Sequence, residues 1–436
     1  MDDFLKALYW GYMLCPLVGG IGVSSCKHYN SKMNCHLMIC CVMFFAALLS
    51  IICGFPTLHF DLWNDDGLTR FFKVLISLGT LLASWMQKIF FPKFYLKESL
   101  AQLSKNFLLI YSLLTLSVLC VSAKTPFLIS VFIVLLMLFL MIGSLYCSDR
   151  DCFNSTWNIF RIIICILIVI LFNLVFYQHF TQKVALSTIS ESGRISILGI
   201  TFAIGMFPLP LIYEELIEKS PTFLAALYTF IIPIPVLMLY IRLLNLYPFA
   251  RYSDFIVLLC LVTIAYSIVG EYVSHRITPI KSVSMLVGCV VLSIMLPMHS
   301  NVYLACLFLM SLVIYAPLCV MIDRSSDDNQ NDLVGWLYLA LSGFPPIGIF
   351  WPCFLLIFNW SNQTFFPACI LFLMLIIRGN VFFYKLRSSF LSLDLKSKEV
   401  RFVWYCLVIQ IIILPLCFSD WIWNLFKFSL PIQGLG

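Results

Sequence analysis

Residues 207–244 read FPLPLIYEELIEKSPTFLAALYTFIIPIPVLMLYIRLL. From Thr222 onward this run is apolar for the roughly 20 residues a helix needs to cross a hydrocarbon layer, yet Pro233 and Pro235 stand in its middle. A proline inside a helix removes one hydrogen bond and clashes with the preceding turn, and in lipid the freed carbonyls must find protein or water. The segment therefore reads as a membrane helix broken part-way through the bilayer. Two other runs carry the same signature. ITFAIGMFPLPLIYEELIEKSP, residues 200–221, has Gly205, Pro208 and Pro210 ahead of Glu214 and Glu215; LYLALSGFPPIGIFWPCFLLIF, residues 337–358, has Gly343, Pro345, Pro346, Gly348 and Pro352. In transporters such breaks come in corresponding halves and line a path for an ion or substrate. A packing kink explains any one of them taken alone; a pair several spans apart favours transport.

Apolar runs at 5–24, 35–57, 71–92, 106–123, 126–146, 159–178, 194–212, 221–246, 253–274, 279–298, 301–322, 333–358, 365–386 and 400–420 make about fourteen expected spans. Hydrophobic residues are 62% of the chain and charged ones 11%, where soluble domains are about 45–50% apolar and 25% charged. No soluble domain of useful size can be cut from it. SDRDCFNSTWN (148–158) and DRSSDDNQND (323–332) are the expected surface loops. The net charge of +6 comes from Lys and Arg scattered in short loops, where juxtamembrane cations normally sit, so nucleic acid is not an expected partner. Most cysteines lie in apolar runs (Cys40, Cys41, Cys53, Cys260, Cys289, Cys406), where a thiol acts as a small hydrophobe. No CxxC pair is present, so neither a redox dithiol nor a metal site is expected. Cys147 and Cys152 flank a polar loop, and a disulfide or two free thiols are both open there. The N-terminal run reads as a first span rather than a cleaved signal. The 40 Phe and 18 Cys fit a T-rich organellar gene, in which setting the sequons at Asn154 and Asn362 are irrelevant; in a secretory membrane they would be acceptors.

Four segments bring a family into view. LALSGFPPIGIFWPCFLLI (339–357) resembles the broken helix near the C-terminal end of the antiporter-like subunits of respiratory complex I. Residues 207–244 are similar to that family's stretch in which Pro208 takes the first proline, Glu215 an aspartate, Pro221 a second proline and Arg242 an arginine. RITPIKSVSMLVG (276–288) resembles its IK motif through Ile280 and Lys281, and FFYKLR (382–387) resembles the end of its following span. The four stand in the family's order. Phe350-Trp351-Pro352 favours subunit 2 of NADH:ubiquinone oxidoreductase among the paralogues.

The resemblance implies an all-α polytopic fold with two inverted repeats: N-terminal helices over 1–105, a first repeat over 106–246, a second over 253–386, and a C-terminal helix and tail over 400–436. It implies a relay of buried ionisable groups as well, and here the chain departs from its family. Val134 or Leu135 falls at the fifth-span glutamate, Ala203 at the seventh-span lysine, Pro233 at the eighth-span lysine and Cys353 at the twelfth-span lysine. The run 126–147 holds no carboxylate in any register. An aliphatic side chain cannot hold a proton, so the usual relay reads as degenerate.

Ionisable groups in or near the spans are candidates for a proton path, because such groups are costly in lipid. Arg378 lies deep in its span, either as a fixed positive charge in place of a lysine or as an arginine satisfied by carbonyls or a neighbouring subunit; it holds its proton too tightly to cycle it. Lys281 starts a span, as an interfacial lysine or as the IK-motif residue. Glu271, His275 and Arg276 end the preceding span, either as a solvated cluster or as a proton-transfer group in histidine's titration range. Glu214 and Glu215 follow the first break as an entry or exit point, or as a surface pair with Lys219.

Dinucleotide fingerprints and clustered cysteine ligands are absent, so no cofactor is expected on this chain. The resemblance places NADH, FMN, iron–sulfur clusters and ubiquinone elsewhere in a larger complex. It implies other membrane-arm subunits, including a neighbouring antiporter-like subunit, and lipids as partners, and the mitochondrial inner membrane as the location. Two rivals remain: a free-standing secondary transporter of cations or solutes, and a structural membrane protein with no ancestry in pumping.

Overall fold

Prolines set where helices begin. In the computed structural model, which describes residues 2–52, 62–90, 100–146, 150–180, 186–246, 254–273, 279–296, 300–323, 340–341 and 349–386, Pro126, Pro210, Pro233 and Pro279 are each the first residue of a helix. A proline there surrenders only an N–H that the first turn leaves unpaired, and its fixed φ suits the helix. Thr125 Oγ1 accepts the N–H of Leu128 (3.3 Å) and caps the helix that Pro126 starts.

Apart from short turns and an isolated bridge between Trp63 and Ala123, the described residues are helical. The helices are α1 (Asp2–Ser25), α2 (Tyr29–Ile52), α3 (Gly67–Phe90), α4 (Leu100–Ser122), α5 (Pro126–Tyr146), α6 (Arg150–Phe180), α7 (Leu186–Ala203), α8 (Pro210–Lys219), α9 (Thr222–Ile231), α10 (Pro233–Leu246), α11 (Asp254–Val273), α12 (Pro279–Ile294), α13 (Ser300–Asp323), α14 (Phe350–Ser361) and α15 (Phe365–Leu386). Every expected span up to 301–322, and 365–386, coincides with a helix or a helix pair; of 333–358 only 340–341 and the helix from Phe350 are described, and 400–420 lies outside the described residues. Among the described residues, six stretches are long and apolar enough to cross a membrane by themselves: Asn30–Ile52, Gly67–Lys88, Pro126–Ser144, Asp151–Val175, Thr222–Leu246 and Asp254–Val273. The chain is a multi-pass, all-α membrane protein.

Both expected breaks upstream of residue 250 are present. The 194–212 run stops at Ala203 and resumes at Pro210, and the 221–246 run is split at Ile232. Gly205 has φ +108, a conformation that L side chains rarely adopt. Two expectations are corrected. The loop 148–158 is helical from Arg150, because it carries Cys152, Ser155 and Thr156 on turns that pack inward. The Cys152 thiol is reduced and buried, 3.8 Å from the Ser220 hydroxyl, which removes the disulfide alternative. Pro345, Pro346 and the loop after Asp323 lie outside the described residues.

The chain divides into two compact units. In the first, up to Ile204 and from Glu215 to Arg251, α4, α5, α6 and α7 pack in sequence, α2 lies on α3, and α1 lies on α2 and α4. The α9–α10 pair is its core: α9 packs on α3, and α10 packs on α4, α5 and α7. In the second, Gly205–Glu214 and Tyr252–Asn424, α11 packs on α12, α12 on α13, α13 on α14, α14 on α15 and α15 back on α11.

Candidate functional site

Two buried carboxylates of the second unit each meet a cation. Glu214, in the first turn and a half of α8, follows a break whose backbone is satisfied within the unit: Phe207 donates its N–H to Thr263 Oγ1 on α11 (3.0 Å), and Leu209 donates to the Met206 carbonyl (2.9 Å). Lys281 Nζ lies 3.3 Å from Glu214 Oε2 and donates at 3.3 Å to the Tyr266 hydroxyl, which itself donates to Glu214 Oε2 at 2.8 Å. Ser284 donates to the other carboxylate oxygen at 3.4 Å, and the ammonium sits 4.8 Å from the Tyr266 ring centroid, within cation–π range. Lysine, phenol and carboxylate thus form a closed triangle, through which a proton can pass from Nζ to Oη to Oε2 without a gap.

The second pair is deeper. Arg378 on α15 is 0% exposed and Glu271 on α11 is 1% exposed. The guanidinium donates to Glu271 Oε1 at 3.3 Å and to Ser282 Oγ at 2.9 Å, while Ser282 donates to the same carboxylate oxygen at 2.9 Å. Charge taken out of water survives only when paired and hydrogen-bonded. Lys281 and Ser282 are consecutive on α12, so adjacent residues of one helix serve the two pairs, and Ser267 of α11 ties that turn down by donating to the Lys281 carbonyl.

Gly270 makes the first pair possible. A Cβ there would stand 2.5 Å from Lys281 Cδ and 2.7 Å from Nζ, so the lysine crosses α11 over a residue without a side chain. Close approach, not backbone conformation, is what requires glycine.

The remaining candidates separate from this pair of sites. Glu215 belongs to the first unit and forms an exposed i,i+4 pair with Lys219 at 2.6 Å, whose hydrogen bond holds its carboxyl below the usual carboxylate range. The surface-pair reading holds for Glu215 and fails for Glu214, which is buried against α11 and α12. The solvated reading of Glu271 fails as well, and His275 and Arg276 lie outside the described residues. Arg242 is an anchor: it donates to Asp66 Oδ2 (2.7 Å) and Thr69 Oγ1 (3.4 Å) at the start of α3. Ala203, Pro233 and Cys353 are buried, while Val134 is half-buried on α5. Around Cys353 the walls are Ile264, Met285, Cys289, Leu356 and Leu371, with no polar side chain except thiols. Among the described residues, no three His, Cys, Asp or Glu side chains are grouped so as to hold a metal ion.

Sequence reasoning missed Tyr266, Gly270, Ser282 and Ser284. They lie 52 to 70 residues from Glu214 or, for Ser282, 96 from Arg378, and polar residues scattered in apolar runs carry no local signal.

No protein-family model and no curated protein matches the chain. Solved structures do match in fold. A chain of the membrane-bound sulfane sulfur reductase, an archaeal respiratory membrane complex, superposes with TM-score 0.74 at 13% identity, covering 96% of both chains. A chain of respiratory complex I from Thermus thermophilus gives 0.71 at 14%, covering 92% of this chain and 93% of that one. A chain of the Mrp complex from Dietzia sp. DQ12-45-1b gives 0.72 at 11%, covering 90% and 81%. The chain shares the fold of these membrane subunits over nearly its whole length.

Proposed function

We propose that this chain is an antiporter-like subunit of the membrane arm of respiratory NADH:ubiquinone oxidoreductase, of the subunit 2 kind, working in the mitochondrial inner membrane. It is a non-redox part of a proton-translocating enzyme and carries no catalytic centre; NADH, FMN, iron–sulfur clusters and ubiquinone are handled by other subunits. Its partners are the other membrane-arm subunits, a neighbouring antiporter-like subunit among them, and lipids. The family's relay positions are aliphatic or thiol here, and the ion pairs Glu214–Lys281 and Glu271–Arg378 replace them. Arg378 serves as a fixed charge, and Lys281, Tyr266 and Glu214 exchange the proton.

One observation carries this reading: a fully buried Glu271–Arg378 pair lies one residue along α12 from a Glu214–Tyr266–Lys281 triangle, in a fold shared with subunits of respiratory membrane complexes. Intramembrane charge is kept where it serves ion movement.

The test is purification from native membranes followed by NADH-driven proton uptake in vesicles. The chain should copurify with redox subunits, and Glu214→Gln should lower protons moved per electron while electron transfer to quinone continues. A chain that purifies alone and carries a cation gradient would establish the solitary transporter instead. Copurification with unchanged stoichiometry in Glu214→Gln would make the subunit structural.

A further inference from the structure

The turn between α1 and α2 carries two thiols. Cys26 follows the last residue of α1 and Cys35 lies in the second turn of α2; both are partly exposed, and both are reduced. The chain is polar here, with Ser25, Lys27, His28, Asn30, Ser31 and Asn34 exposed. Ser24 and Ser25 each donate a hydroxyl hydrogen to the Ile21 carbonyl at 2.8 Å, and the Cys26 thiol donates to the Gly22 carbonyl at 3.5 Å. Cys26 has thus turned its hydrogen towards its own helix, which leaves its sulfur lone pairs open. The Cys35 thiol lies within hydrogen-bonding reach of that sulfur.

Packing holds the two thiols together from both sides. Lys32 stands three residues before Cys35 and so on the same face of α2, and its Nζ reaches back across the turn to donate to the Ser24 carbonyl at 3.4 Å. That face is therefore the one turned towards the end of α1. One turn beyond Cys35, Gly19 lets the helices approach closely: a Cβ there would stand 2.8 Å from Ile39 Cγ2. A second pair of thiols, Cys289 and Cys353, also lies in contact, but both are buried behind aliphatic walls. What sets Cys26 and Cys35 apart is that a polar reagent can reach them.

We propose that Cys26 and Cys35 are a modification site that closes reversibly to a disulfide by exchange with a small, water-soluble disulfide of the glutathione class. The Cys26 thiolate attacks one sulfur of glutathione disulfide, its S–S bond breaks, and one glutathione leaves. The Cys35 thiolate then attacks the Cys26 sulfur of the mixed disulfide and displaces the second glutathione. The two thiol protons end on the two glutathiones, and one disulfide forms for each one consumed. Rotation of the two side chains brings the sulfurs from contact to the ~2.05 Å of the bond. Lys27 adjoins Cys26, and Lys88 donates to Asn34 Oδ1 at 2.8 Å next to Cys35, so positive charge on both sides draws the anionic oxidant. The bridge ties α2, at 22% the least buried of the candidate spans among the described residues, to α1. It involves none of the groups in the second unit.

The experiment takes native membranes holding the full chain, equilibrates them at about pH 8, where thiols exchange, in mixtures of reduced and oxidised glutathione, and quenches with acid. Denaturation, alkylation with N-ethylmaleimide, tryptic digestion and mass spectrometry follow. Lys27 and Lys32 lie between the two cysteines, so cleavage separates their peptides unless a bridge joins them. The expected product is the joined pair, two hydrogens lighter than the sum of its peptides, rising with glutathione disulfide and lost on treatment with dithiothreitol. It should exceed any other pairing of the 18 cysteines at least about tenfold, and Cys289 and Cys353 should stay thiols, because exchange requires access. Cys26→Ser should abolish the joined product and leave Cys35 as a thiol or a glutathione adduct. Thiols at both positions in the most oxidising mixture, separate glutathione adducts on each, or bridging of Cys289 to Cys353 to the same extent overturns the proposal.

Discussion

At position 270 the difference between a hydrogen and a methyl group decides whether Lys281 reaches Glu214. Gly270→Ala would meet only the far end of a flexible side chain, so the protein should fold with stability changed by less than about 1 kcal/mol, alanine being the better helix former. The coupling between Lys281 and Glu214, measured by a double-mutant cycle on unfolding, should fall close to zero in that background. Arg378 answers to a different rule. Arg378→Met leaves Glu271 buried beside an apolar chain and should cost about 3–5 kcal/mol, whereas Arg378→Met with Glu271→Met should recover most of the loss, because it is the unpaired charge that destabilises. Equal losses in the single and double variants would contradict this.

The start of α3 is held from two sides. Asp66 Oδ1 accepts the Thr69 N–H (2.8 Å) as a helix cap, and its other oxygen takes Arg242 from α10. Asp65 binds Arg70 at 2.8 Å and Lys73 at 3.4 Å. Removing the aspartate loses both a cap and a charge partner, so Asp66→Ala should destabilise more than Arg242→Ala, by about 1 kcal/mol, the usual worth of a cap. Denaturant unfolding of the two variants and their combination checks the order. The same logic accounts for the breaks: Pro210 and Pro233 interrupt a span by beginning a new helix, and the carbonyls and amides they release are met by neighbours such as Thr263.

Within the first unit, apolarity and burial do not run together. The α2 window is the more apolar yet only 22% buried, and that of α6 is 28% buried; those of α3 and the α9–α10 pair are 83% and 94% buried. A hydrophobic photolabel dissolved in the bilayer, applied to the purified full chain, should therefore mark α2 and α6 several-fold more heavily than α3, α9 or α10. Heavy labelling of α3 would contradict both its placement and the burial of its polar face, Ser77, Thr80 and Ser84.

The sequence by itself determined the class of the molecule. An unbroken succession of apolar runs leaves backbone no solution in lipid except helix, and the prolines near 208 and 233 marked the breaks because their effect is local and covalent. Arg378 and Lys281 could be singled out because charge in an apolar run is visible without a partner. Which carboxylate each would meet was not legible. Glu214 and Glu215 are neighbours in sequence with opposite fates, one buried against Tyr266 and Lys281 and the other on the surface with Lys219. Glu271 looked like an interfacial residue until α15 brought Arg378 against it. The polar face of α3 spells a recognisable period, yet nothing local says that it turns inward or that His36 of α2 closes on Ser84. Pairing across helices depends on which faces meet, and that is settled by packing between segments far apart in the chain, so the tertiary structure alone decided it.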